Sequence, residues 1–70
     1  DSYTTKLLTD KNLLLKKIGE ESSEVIISYS EEKNRTVEEA SDLIYHLFVL
    51  LVERDIKLES VLEELKKRRK

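Results

Sequence analysis

The stretch Val37-Glu38-Glu39-Ala40-Ser41-Asp42-Leu43-Ile44-Tyr45-His46-Leu47-Phe48-Val49-Leu50-Leu51-Val52-Glu53 decides the fold of this chain. It opens acidic and is then apolar almost all round from Leu43 to Val52, interrupted only by Tyr45 and His46. A segment this long with no proline or glycine reads as a helix, not a strand. It is also too short and too interrupted to cross a membrane. A helix that is apolar on every side needs cover on several sides. Seventy residues offer little material for that cover, and domains of this size rarely stabilise themselves on one core. The reading is therefore an all-α antiparallel helical bundle completed by dimerisation.

Upstream, a long helix is expected from about Lys11 to Glu31. Leu14, Ile18, Glu21, Val25 and Ser28 form its inner stripe, widened by Leu13, Ile26 and Ile27. Glu21 thus falls on the core-facing side. Gly19 costs roughly 1 kcal/mol in mid-helix relative to alanine, which close approach by a neighbouring backbone or a ligand would offset. Glu31 to Arg35 reads as the turn, with Asn34 as a left-handed terminator. Thr36 then reads as the N-cap of the helix from Val37, and Glu39 as its capping-box partner. Arg54 and Asp55 break the second helix. A last helix, about Leu58 to Lys70, carries Leu58, Val61, Leu62 and Leu65 on one side and ends in basic residues that suit its dipole. The first ten residues, with Tyr3, Leu7 and Leu8, read as a short helix or a capping loop.

Composition narrows the function classes. There are no cysteines, so disulfides play no part. Charged residues make up 40% of the chain but cancel to a net −2, leaving no global basic field for nucleic acid. With no signal peptide and no membrane-length apolar run, a soluble cytoplasmic location without membrane partners is expected. The absence of methionine implies that something precedes Asp1 in the full-length chain.

Two pairs of acids are the candidate chemistry: Glu21/Glu24 and Glu39/Asp42. Residues three apart share a helical face. About three such pairs would arise at random in a chain this acidic, so their number says nothing. Their placement says more, because both flank apolar runs on consecutive helices that a short turn makes antiparallel neighbours. Four converging carboxylates repel unless a cation lies between them. Oxygen donors without His or Cys suit Mg²⁺, with Mn²⁺ as its substitute, and such ions take further ligands from substrate phosphates. The bland alternative is a charge-rich helical surface, with Glu39 serving only the cap of Thr36. No glycine-rich phosphate loop is present, which excludes a P-loop enzyme. His46, four residues after Asp42, reads as a partly buried, hydrogen-bonded histidine that can share an edge with it. Lys17, one turn before the first acid pair, and Arg68 or Arg69 in the basic tail are the groups that can reach a phosphate.

Taken together, Ser2-Tyr3-Thr4, Lys17-Ile18-Gly19-Glu20-Glu21-x-x-Glu24-Val25 and Glu39-Ala40-x-Asp42-Leu43-x-Tyr45-His46 resemble the phosphoribosyl-ATP pyrophosphatase family. Val61-Leu62-x-Glu64-Leu65 and the following Arg68 are similar to that family's closing helix. The resemblance spans nearly the whole chain, in order. It implies an all-α enzyme related to MazG and the dimeric dUTPases, working as a homodimer. The implied reaction is Mg²⁺-dependent hydrolysis of phosphoribosyl-ATP to phosphoribosyl-AMP and pyrophosphate, the second step of histidine biosynthesis. By position, Glu21, Glu24, Glu39 and Asp42 match the metal ligands, with Glu20 and Glu21 in the catalytic positions; Glu20 would orient water or serve a second ion. Lys17 and Arg68 match basic positions for substrate phosphates.

The resemblance also implies departures. The helix that usually precedes Ser-Tyr-Thr is missing, Thr9-Asp10-Lys11-Asn12 lacks the glycine often found there, and Ser22-Ser23 replaces an alanine-containing pair. In some organisms the domain follows phosphoribosyl-AMP cyclohydrolase in one chain, so a fusion is expected as an option here. Two other readings stand beside it: a MazG-type pyrophosphohydrolase of other nucleoside triphosphates, and a non-enzymatic helical dimerisation module. The module reading expects the four acids scattered and solvated; the enzyme reading expects one cluster in a cleft.

Overall fold

Asp10 starts the second of the four helices found among the described residues by accepting the Leu13 amide on its carboxylate at 3.1 Å, a side-chain cap that satisfies one orphan donor of the first turn. The computed structural model describes residues 2–69; Asp1 and Lys70, the ends of the first and last expected segments, lie outside the described residues. Helix α1 spans Ser2–Thr9, α2 Lys11–Ser28, α3 Lys33–Glu53 and α4 Leu58–Lys67. No strand occurs among the described residues, so the all-α reading stands.

Helices α2 and α3 form an antiparallel hairpin. The end of α2 meets the start of α3, where the Thr36 hydroxyl donates to the Ser28 carbonyl at 3.0 Å. At the other end Leu14 of α2 and Val49 of α3 pack together with Leu7 of α1. These three are the buried apolar core, with Leu13, Ile18 and Leu50 packed against it. An eight-residue helix such as α1 is too short to persist alone, so Leu7 in the core and polar contacts to α3 must hold it.

The turn differs from expectation. Helix α3 begins at Lys33, after the extended Glu32, and Asn34 lies within it. Thr36 is therefore a full turn inside the helix and is not an N-cap. Its hydroxyl ties the two helices together instead, and no capping box involves Glu39. The one left-handed residue among the described residues is Asp55, at φ 58°. There Ile56 N–H reaches Leu51 O at 2.8 Å and Asp55 N–H reaches Val52 O at 3.0 Å, the paired closure that ends a helix on a left-handed residue.

Gly19 also departs from expectation: a Cβ placed there meets nothing within 4 Å. No neighbouring backbone approaches, so the protein itself does not offset its helix cost.

Much apolar surface remains open. Ile44, Leu47, Phe48 and Val52 of α3 are exposed, as are Ile26, Ile27 and Tyr29 near the turn. Helix α4 buries none of its residues, leaving Leu58, Leu62 and Leu65 in solvent. These open side chains leave the apolar run of α3 covered on only part of its circumference.

Candidate metal centre

Because α2 and α3 run antiparallel, residues midway along each face one another. Glu21, seven residues after Leu14, comes opposite Glu39 and Asp42, which precede Val49 on α3. One carboxylate oxygen from each of Glu21, Glu39 and Asp42 lies within 4.8 Å of the others. Both former pairs thus contribute to one group, across the helix interface. The Glu21 and Glu39 side chains are only 12% and 11% exposed, while Asp42 is open to solvent. Glu24, the fourth expected ligand, is exposed one turn further along α2 and stands outside this three-residue group.

The cations around the group explain how buried carboxylates are tolerated. Lys17 Nζ lies 3.3 Å from Glu21 and 3.4 Å from Glu20. The hydrogen bond to Glu21 is the main reason its ammonium is held above the usual lysine range; partial burial opposes this and the bond to Glu20 adds to it. Arg35 Nη2 donates to Glu39 at 2.7 Å, and the same guanidinium bonds Glu38 and approaches Glu31 at 3.7 Å. Glu38, then Glu39, raise the Arg35 pKa further. Sequence reading passed over Arg35, although the i,i+4 spacing to Glu39 was its signal.

Glu20 sits at the outer edge of the group, half exposed, between Lys16 at 4.0 Å and Lys17. Arg68 caps α4 and bonds Glu64 on its own helix at 2.8 Å. Helix α4 shares no extensive interface with the other three, so the chain alone does not gather Arg68 with the acids. A surface depression does lie at the α2–α3 turn, lined by Tyr29, Glu31, Thr36, Val37 and Ala40 among others, but it includes none of Glu21, Glu24, Glu39 and Asp42. His46 meets its expectation: it is 5% exposed, with both ring nitrogens bonded.

The donor set fits a hard divalent ion. All three groups are carboxylate oxygens, the type Mg²⁺ and Mn²⁺ prefer. Oxygens sharing one ion at about 2.1 Å lie at most about 4.2 Å apart, so a small side-chain rotation closes the observed spread.

Fold and site together define an all-α domain with a three-carboxylate group between two antiparallel helices. The model of the family described as phosphoribosyl-ATP pyrophosphohydrolase matches residues 1–69. The chain is 52% identical to a phosphoribosyl-ATP pyrophosphatase of Sulfurisphaera tokodaii, covering 99% of this chain and 76% of that protein. It is 51% identical to one of Bacillus cereus, covering 97% of this chain and 65% of that protein. It is 56% identical to the histidine biosynthesis bifunctional protein HisIE of Thermoanaerobacter pseudethanolicus, covering 90% of this chain and 30% of that protein. The chain belongs to the phosphoribosyl-ATP pyrophosphohydrolase family, and so to the hydrolases. It spans about two thirds to three quarters of the length of its single-function relatives.

Proposed function

We propose that this domain hydrolyses phosphoribosyl-ATP to phosphoribosyl-AMP and pyrophosphate in histidine biosynthesis, in the cytoplasm, with Mg²⁺ as cofactor and Mn²⁺ able to replace it. The observation that carries the reading is the convergence of Glu21, Glu39 and Asp42 from two helices onto one spot. Scattered, solvated acids would have favoured a helical module without catalysis. The relatives' names supply the substrate, and no helix among the described residues is long and apolar enough to cross a membrane.

Glu21, Glu39 and Asp42 would hold the ion, with Glu24 as a fourth donor from the next turn of the same face. A bound divalent ion supplies positive charge against the phosphate oxygens and acidifies water. Glu20, half exposed at the edge of the group, orients water for attack, while Glu21 accepts its proton. Lys17 would bind the phosphate chain, and Arg68, which this chain alone does not gather with the acids, would join it only through assembly with a second copy. The uncovered faces of α3 and α4 support a homodimer, which would also enclose the open side of the site. The bifunctional relative supports a full-length chain fused to phosphoribosyl-AMP cyclohydrolase.

Purified protein incubated with Mg²⁺ and phosphoribosyl-ATP should release pyrophosphate, and Asp42→Asn should abolish release with helix content unchanged. Full activity in Asp42→Asn, or none in the parent protein, overturns the assignment.

A further inference from the structure

Arg35, near the start of α3, is the cation that touches Glu39, and three carboxylates surround it. Nη2 donates to Glu39 Oε2 at 2.7 Å, Nη1 donates to Glu38, and Nε lies 3.7 Å from Glu31. A planar guanidinium engaged on three sides cannot turn without giving up a partner. Its bond to Glu39 is the one that enters the carboxylate group, because Glu39 is buried whereas Glu31 and Glu38 are half-exposed. Oε2 is thereby committed to Arg35, and Oε1 is the oxygen left for an ion shared with Glu21 and Asp42. The positive charge of Arg35 does not oppose such an ion strongly. Glu31 and Glu38 stand outside the three-residue group and offset that charge.

We infer that Arg35 is a positioning residue that sets ion specificity: by occupying one oxygen of Glu39 it confines that carboxylate to single-oxygen ligation, which favours Mg²⁺ or Mn²⁺ over Ca²⁺. This role rests on the cation site assigned above to Glu21, Glu39 and Asp42. The two kinds of ion make different demands. Ca²⁺ takes about six to eight oxygens in a flexible shell and gains from a carboxylate that offers both of its own. Mg²⁺ is smaller, requires a near-ideal octahedron and keeps several waters, so one oxygen from each carboxylate suits it. A hydrogen bond from outside also orients the ligand, and losing such a partner costs about 10–100-fold in metal affinity. Arg35 touches no reacting atom and acts only through Glu39. Lys17 does not do the same for Glu21, because its single ammonium is shared with Glu20.

The test reads binding without turnover. Mn²⁺ affinity is measured by electron paramagnetic resonance, and Ca²⁺ affinity by competition against Mn²⁺. The parent protein should prefer Mn²⁺. Arg35→Met keeps a long side chain of good helix propensity and removes the donors. It should bind Mn²⁺ about tenfold more weakly, while Ca²⁺ affinity holds or rises because Glu39 can then turn both oxygens to the ion. Arg35→Lys, still able to pair with Glu39 four residues on, should keep most of the parent's preference. In a Glu39→Gln background, Arg35→Met should leave the ratio of the two affinities unchanged, since it acts through that carboxylate. An unchanged ratio in Arg35→Met alone overturns the role: equal losses would mark a merely structural residue, and equal gains a simple release of charge repulsion. A parent protein that prefers Ca²⁺ overturns it as well. No Mn²⁺ binding by the parent overturns the cation site and this role with it, whereas Mn²⁺ binding with an unchanged ratio overturns the role alone.

Discussion

Arg35 holds the Glu39 carboxylate from one turn earlier on α3, with Nη2 2.7 Å from Oε2. Glu39 is thereby anchored within its helix and faces Glu21 and Asp42, while Thr36 faces Ser28 of the other helix. The two residues that looked like one capping box have no partner in common. Thr36→Ala should cost about 1 kcal/mol through the lost tie to Ser28. Its effect should add to that of Glu39→Gln within about 0.5 kcal/mol in a denaturant double-mutant cycle. A coupling well above that would restore the capping box.

Substitutions should separate the core of the carboxylate group from its margin. Glu21→Gln, Glu39→Gln and Asp42→Asn should each lower Mn²⁺ affinity, read by electron paramagnetic resonance, at least about tenfold. Glu24→Gln should cost less, because Glu24 is exposed and outside the three-residue group. Equal losses at all four positions would mean that α2 presents Glu21 and Glu24 equally to the ion.

The pH dependence follows from Lys17. Its ammonium is held above 10.5, chiefly by Glu21. A raised folded pKa contributes stability that is complete below the unfolded value and lost as pH rises through the folded one. The stability difference between the parent protein and Lys17→Met should therefore be flat through neutral pH and shrink only above about pH 10.5. Urea unfolding across that range checks it; a difference already fading near neutrality contradicts the pairing with Glu21.

Gly19→Ala should stabilise the protein by roughly 0.5–1 kcal/mol, since the added methyl meets open space and alanine favours the helix. Thermal unfolding reads the gain. If the substrate approaches α2 closely here, the same variant will raise KM; an unchanged KM would show that nothing binds against this turn.

The open apolar faces predict assembly. Sedimentation should show a dimer at micromolar concentration, and Phe48→Glu, placed on the exposed side of α3, should shift it toward monomer. A parent protein that sediments as a stable monomer would contradict the burial argument drawn from Leu43 to Val52.

Length without proline or glycine identified α3, and an apolar stripe repeating near 3.6 residues identified α2, both signals that local order is enough to show. The acids were legible in the same way: residues three apart on one helix share a face whatever the tertiary fold does. The resemblance of the motifs added the family and its substrate. Other features depended on contacts between distant residues. Asp10 was not singled out as the cap of α2, and Thr36 was misread, because the sequence pattern of a cap does not reveal that a hydroxyl has a better acceptor on another helix. Which of the four acids meet, and that Tyr3 reaches His46 across 43 positions, follow from the antiparallel docking of α2 on α3 and of α1 across both. Local propensity sets where helices form; only their packing decides which charges come close enough to need a counter-ion.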